Sequence, residues 1–361
     1  MSIQVQYGQG FGRVAVAAAP LPALVSFGGA GHAAPHVPVR AADPAVLQTL
    51  AGEAMGTTWS VRVCNPQFTP LAPVRAAIEE ALALVVRQMS NWEPESEVSR
   101  FNRAPAGSWH ALSPAFFAVL QAAQHWALAS GGAFDVGVGS LVSRWGFGPR
   151  PDPHADHSPP ATMPSAQELQ SLRPHRAGLA LRDAGMQALQ PGGLQLDLSG
   201  IAKGYSVDLV VQVLQAQGWV DFLAEVGGEL RASGTRPGGQ PWRVAVAGEA
   251  GSARALPLQG MAIATSGDHW HAFEHGGRRY SHTIDPRTGE PVAHSLASVT
   301  VLHQECMHAD ALATVLTVLG PVEGLAFATG QGVAALLCER SHQGAQWTAT
   351  PAWRERFPEF Q

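Results

Sequence analysis

Asp310 and Thr314 stand four positions apart in Cys306 to Leu319, a segment whose pattern predicts a helix. That spacing is about one helical turn, so the carboxylate and the hydroxyl share a face. Paired oxygen donors of this kind suit a hard cation such as Mg2+, which keeps water or substrate phosphates on its other positions. The pair reads equally as a satisfied helix aspartate and a threonine bonded to its own backbone.

A second candidate is Asp197-Leu-Ser-Gly-Ile-Ala-Lys-Gly204, a strand end running into a helix start. Ser199 and Gly200 fall where helix amides lack partners, which makes a natural anion seat. Lys203, in the first turn, is within reach of a phosphate. The spacing is not that of a Walker loop, and an ordinary helix cap with an exposed lysine also fits.

A third cluster runs from Met261 to Trp270 and from Arg279 to Val292. Ser, Thr, Asp and His collect there where strands hand over to turns, a common address for functional side chains. His282 could act as a general base or orient a carboxylate; a structural histidine is the plainer reading. His269, His271 and His275 flank the Gly276-Gly277 hairpin signal and read as solvent-facing. Two flat surfaces complete the set. Gly131 to Gly148 combines glycines with Phe134 and Trp145, and Trp92 sits in the polar run Ser90 to Asn102. Each could face a planar ring, or simply pack.

These residues need elements to hold them. Thr57 to Val63 alternates as a strand. Pro73 to Ser90 reads as an amphipathic helix, with Val74, Ile78, Leu82, Val85 and Met89 on one face. Ser113-Pro114 starts a second helix that ends at Gly131. Leu179 to Leu189 and Leu194 to Leu198 read as strands joined across Pro191-Gly-Gly. A helix follows over Ile201 to Gln217, then a hairpin around Gly227-Gly228 and a strand over Trp242 to Ala247. Ser298 to Leu302 and Val333 to Cys338 read as strands, and Gly320-Pro321 stops the helix that carries Asp310. Strands and helices mix without strict alternation, so the fold class is α+β.

The chain has 361 residues, 46% of them hydrophobic, enough for a large core. A net charge of -5 without any Lys/Arg run speaks against a nucleic-acid surface. No run of about 20 apolar residues is present, so no membrane-spanning segment is expected. Cys64, Cys306 and Cys338 have no metal spacing and read as free thiols. Residues 1–48 read as a leader or loose extension, and 49–361 as one catalytic-sized domain with a proline-rich excursion at 149–164. Arg13 followed by Val14 to Phe27 has the layout of an export signal cleaved near Ala34, although Pro20 and Pro22 interrupt it. A periplasmic or inner-membrane-associated location follows if that signal operates, and a cytoplasmic one otherwise. No cysteine stands there to carry a lipid.

In this order the motifs resemble one bacterial family, the ApbE-type FAD:protein FMN transferases. The matching stretches are Met55-Gly-Thr-Thr-Trp59, Ser90 to Asn102, Gly132-Ala-Phe-Asp135 through Gly148, and Asp197 to Tyr205. They continue with Glu225-Val-Gly-Gly-Glu229, Ala262 to Asp268, Ser281 to Gly289 and Ala309 to Leu316, spanning roughly residues 51 to 330. The resemblance implies an ApbE-like α+β fold with the site in a central cleft. It implies FAD contacts at Met55, Trp92, Ala133, Phe134, Asp135, Asp197, Lys203 and Ile284. It implies Mg2+ held by the Gly200 carbonyl, Asp310 and Thr314, and His282 as a catalytic residue with Asp268 and Thr265 nearby. It further implies an acceptor protein flavinylated on Thr or Ser, a subunit of a membrane redox complex. The chain departs from the family pattern at Gly137-Val-Gly-Ser140-Leu, where Thr and Pro are usual. A Mg2+-dependent FAD pyrophosphatase and a non-enzymatic flavin-binding protein are the alternative functions.

Overall fold

The computed structural model describes residues 46–149, 159–173, 179–247, 253–267, 272–341 and 344–360. The leader, apart from its last three positions, lies outside them, as does most of the proline-rich excursion. Ala41–Gln361 forms one compact unit.

Chain order explains the architecture. β1 (Leu47–Ala54) and β2 (Thr57–Cys64) form a hairpin whose two turn residues, Met55 and Gly56, both take positive φ, 56° and 69°. That backbone twist matches the twist of the flanking strands. β1 therefore begins inside the stretch read as leader. α1 (Ala72–Met89) buries the five residues its periodicity marked. α2 (Glu97–Asn102), β3 (Ser108–Ala111), α3 (Pro114–Ala129), α4 (Gly139–Arg144) and α5 (Ala166–Leu172) follow.

The expected strand over Leu179 to Leu189 is two strands, β4 (Ala180–Arg182) and β5 (Gln187–Gln190). The chain reverses between them through Gly185 and Met186, at φ 81° and 46°. Residues 194–198 do not form a strand. They run alongside the glycine loop, bridged at Gln195 and Val138 and bonded through the Asp197 amide to the Val136 carbonyl.

α6 (Ala202–Ala216), β6 (Phe222–Val226), β7 (Glu229–Ser233), β8 (Trp242–Ala247), β9 (Ala253–Leu258) and β10 (Ala262–Gly267) continue the chain. β11 (Ala272–His275) and β12 (Arg278–Ser281) form the hairpin expected at Gly276-Gly277. β13 (Leu296–His303), α7 (Cys306–Gly330), β14 (Ala334–Ser341), β15 (Gly344–Ala349) and α8 (Pro351–Arg356) close it. The stop expected at Gly320-Pro321 is a break rather than an end. Gly320 takes φ 78°, and a second helical segment resumes with Pro321 in its first turn.

The central sheet is antiparallel throughout, in the order β1-β2-β6-β7-β10-β13-β14-β15. Successive strand residues point to opposite faces, and both faces are buried. Ala224, Ala264, Val299, Val301 and Leu337 face α1, α3, α6 and α7. Leu223, Ile263, Leu302 and Leu336 face Trp242, Leu256 and Trp353 from the β8–β9 ribbon and α8. α7 is long and apolar enough to suit a bilayer. Here that apolar surface packs on α6, β10 and β13, as expected of a core helix.

Candidate active site

The site begins with how α7 docks on α6. α7 has no side-chain cap of its own. Asp208 of α6 supplies one instead, accepting from the Cys306 and Met307 amides at 3.0 and 2.9 Å and pairing with Arg231 at 2.5 Å. A carboxylate there satisfies orphan donors and the positive end of the helix dipole. Burial raises the Asp208 pKa, and these partners pull against the rise. Gly204 lets the helices close: a Cβ there would collide with the Cys306 carbonyl and lie 2.8 Å from Asp310 Cβ.

This close approach diverts a hydrogen bond. In a regular helix the Gly204 amide would return to the Gly200 carbonyl. It donates instead to Asp310 Oδ2 at 2.9 Å, and no hydrogen bond from the described residues to the Gly200 carbonyl replaces it. The second Asp310 oxygen also has no hydrogen-bond partner among the described residues, although the residue is only 3% exposed. Burial pushes its pKa up, with Lys203 and the Gly204 amide opposing. One turn along α7, Thr314 Oγ1 would lie 2.8 Å from a Cβ on Gly200, and Ser266 Oγ is 3.5 Å from it. Asp310, Thr314 and Gly200 are thus neighbours that offer a carboxylate, a hydroxyl and a backbone carbonyl. Oxygen donors in this number fit a hard divalent cation.

Lys203 stands beside this group. Its Nζ lies 2.6 Å from Glu229 Oε1, on a carboxylate side chain only 3% exposed. Burial and the neighbouring Asp310 charge push the Glu229 pKa up, against Lys203, to about 7. The Gly227 turn closes over the pair, with space for a Cβ only 3.2 Å from Lys203 Cδ.

The glycine loop joins the rest. Phe134 Cε2 would lie 3.4 Å from a Gly200 Cβ. Ala133 and Phe134 are buried, and Asp135 accepts from the Gly137 amide at 2.7 Å. Burial raises the Asp135 pKa. Asp197 donates its amide to the Val136 carbonyl and accepts the Ser199 amide on its side chain. Asn91 and Asn102 both donate to the Leu196 carbonyl, which brings Trp92, 43% exposed, to the same edge. Met55 packs at the margin of the two helix-side cores.

His282 and Ile284 belong to an aromatic wall. Ile284 packs with Trp145, Phe147 and Phe273, and the His282 ring meets Phe147 edge-on at 6.4 Å. Trp145 Nε1 donates to the Gly289 carbonyl at 2.8 Å, and Arg287 clamps Asp285 through two nitrogens. Arg287 also reaches the glycine loop, since a Gly132 Cβ would sit 3.8 Å from its Cγ. The aromatic wall is thereby tied to the loop that carries Phe134.

Residues 55–337 match the model of the ApbE family. The chain belongs to the ApbE family. It is 36% identical over 327 residues to the FAD:protein FMN transferase of Vibrio cholerae, covering 86% of this chain and 93% of that protein. Identity to the Klebsiella pneumoniae FAD:protein FMN transferase is 33%, over 87% and 90%. The fold matches the apo flavinyl transferase ApbE of Pseudomonas stutzeri with a TM-score of 0.78, at 37% identity over 86% and 96% of the two chains. The expected ApbE-like α+β fold is therefore the fold found.

Within that fold, Thr265 faces the side of the sheet away from Thr314. Its hydroxyl pairs with Thr300 at 2.9 Å on the opposite sheet face, and the strand's alternation brings Ser266 to Thr314 instead. Ser199 is not a free helix amide, because α6 starts at Ala202 and the Ser199 amide goes to Asp197. Lys203 is tied to Glu229 rather than exposed. Asp268, His269 and His271 lie outside the described residues; His275 is exposed, as expected. None of the three cysteines forms a disulfide. Glu229 and Ser266 went unassigned in the sequence. Reading Ala262, Ala264 and Ser266 with a period of two would have placed Ser266 beside α7.

Proposed function

We propose that this chain is a Mg2+-dependent FAD:protein FMN transferase that moves FMN from FAD to a Thr or Ser hydroxyl of an acceptor protein, releasing AMP. The observation that carries this reading is the proximity of Asp310, Thr314 and Gly200, whose carbonyl has no hydrogen-bond partner among the described residues. Simple flavin storage needs no such donor set.

Asp310, Thr314 and the Gly200 carbonyl would hold Mg2+, whose chemistry is to neutralise charge on a diphosphate. Lys203 places a fixed positive charge beside the same phosphates. Phe134, Met55 and Trp92 supply apolar surface for the flavin or adenine rings, and Ile284 with its aromatic neighbours forms the facing wall. Asp135, through the Gly137 amide, and Asp197, through the Val136 carbonyl, brace the glycine loop. His282 takes the proton of the acceptor hydroxyl on a ring nitrogen as the new O–P bond forms and the diphosphate P–O bond breaks. Positioning supplies the rest.

The acceptor class, a flavin-carrying subunit of a membrane redox complex, follows from the family resemblance. The Arg13 to Ala34 layout supports export, and N-terminal sequencing of the mature chain tests it. The transferase reading is tested by incubating the protein with FAD, Mg2+ and a candidate acceptor. Flavin fluorescence on the acceptor in a denaturing gel, with AMP in solution, is the expected result. AMP with free FMN and no labelled acceptor would make the protein a hydrolase.

A further inference from the structure

We propose that Glu229 is a positioning residue that holds the Lys203 ammonium away from Asp310, keeping that carboxylate available to a divalent cation. The inference rests on the reading of Asp310 as a cation ligand.

Lys203 and Asp310 are forced together by the backbone. Gly204, next to the lysine, gives its amide to Asp310 Oδ2 at 2.9 Å, and the missing Gly204 Cβ allows α6 that close to α7. An ammonium anchored there has Asp310 as its natural partner. Yet Lys203 makes its ion pair with Glu229, at 2.6 Å, and not with Asp310.

The alternative partner is built for the purpose. Glu229 opens β7, and its carboxylate is almost fully buried. Burying a carboxylate is costly unless it is paired, so this position is an expensive place for a charge with no task. The Gly227-Gly228 turn shapes the slot. A Gly227 Cβ would lie 3.2 Å from Lys203 Cδ and 3.5 Å from Glu229 Oε2, and Gly227 itself takes φ 64°. The turn thus presses the lysine stem toward Glu229.

An ammonium released from Glu229 would compete with a cation for Asp310. In Glu229→Gln the side-chain shape is kept and the charge is lost, so Asp310 becomes the best anion for Lys203. In the double variant Lys203→Met with Glu229→Gln no ammonium remains to compete. The test is direct titration with Mn2+ alone, followed by electron paramagnetic resonance at pH 8, without FAD and without turnover. Glu229→Gln is expected to bind Mn2+ about tenfold more weakly than wild type. The double variant is expected to recover wild-type Mn2+ affinity while transferring FMN slowly. If Glu229→Gln does not fold, Glu229→Ala and its double variant with Lys203→Met carry the same comparison: the single variant is expected to bind Mn2+ about tenfold more weakly than the double, and equal affinities overturn the inference.

Wild-type Mn2+ affinity in folded Glu229→Gln overturns the inference and leaves the cation reading standing. Equal weakening in the single Gln variant and the double variant also overturns it, because packing damage would then explain both. If Asp310→Asn binds Mn2+ as wild type does, the cation reading itself falls and takes this inference with it.

Discussion

The Gly204 amide donates to Asp310 Oδ2 at 2.9 Å, and the Gly200 carbonyl it would ordinarily meet has no hydrogen-bond partner among the described residues. One exchanged hydrogen bond thus couples the start of α6 to α7 and leaves the carbonyl of Gly200, a residue packed against Thr314, without its helical donor. Asp310 has a structural task beside the cation-holding one proposed for it, and the two can be separated. Asp310→Ala orphans a buried amide and is expected to cost about 1–3 kcal/mol of stability. Asp310→Asn keeps an acceptor and should cost less, while both lose cation-dependent activity. Urea denaturation of the two variants checks this; equal stability losses would show that the amide bond contributes little.

Gly200 has no room for a side chain. A Cβ would lie 2.8 Å from Thr314 Oγ1 and 3.4 Å from Phe134 Cε2. Gly200→Ala is expected to force Thr314 out of place, lowering the FMN transfer rate roughly tenfold or more, with a stability cost of about 1–3 kcal/mol. Steady-state kinetics with FAD alongside a melting curve give both numbers. An alanine variant with wild-type kinetics would remove Gly200 and Thr314 from the same site.

The Glu229 carboxyl has an ordinary pKa of 4.5 and is pushed up to about 7, chiefly by burial. An acid raised on folding holds its proton more tightly in the native state. Its stabilising contribution is present below pH 4.5 and is lost as pH rises through about 7. Glutamine does not titrate. The stability of wild type relative to Glu229→Gln should therefore fall across that window, by on the order of 3 kcal/mol at most. Denaturation at a series of pH values measures it, and a difference that stays flat or grows with pH would contradict the assignment.

His282 lies on the aromatic wall beside Phe147 rather than among the oxygen donors. A proton acceptor there should act on the acceptor hydroxyl and not on FAD binding. His282→Asn is expected to lower kcat by about 10²-fold or more with little change in the FAD KM. A variant that keeps the full rate would leave the histidine a purely architectural part of the wall.

Much of this was legible in the sequence, because the signals were local. The periodicity of Val74 to Met89, the Gly227-Gly228 and Gly276-Gly277 hairpins and the helix bearing Asp310 all depend on neighbours within a turn or two. The Asp310–Thr314 spacing already put a carboxylate and a hydroxyl one turn apart on a single helix. What was not legible depends on partners far along the chain. Met186 turns the β4–β5 hairpin at φ 46° with no residue-type signal to announce it. Residues 194–198 have strand composition, but their polar partners are Asn91, Asn102 and Gln190 side chains rather than a ladder. Thr265 and Ser266 are chemically alike, and only the register against β13 tells which one meets α7. The Lys203–Glu229 pair spans 26 positions and needs the Gly227 turn to bring it together.

The most direct test of the account is AMP release from FAD by wild type and Asp310→Asn, measured with and without Mg2+ in the presence of an acceptor protein. We expect wild type to release AMP in step with flavin appearing on the acceptor, only when Mg2+ is present, and Asp310→Asn to lose at least about 10²-fold in rate. Undiminished, Mg2+-dependent AMP release by Asp310→Asn would contradict the assignment of Asp310, Thr314 and the Gly200 carbonyl as the cation site.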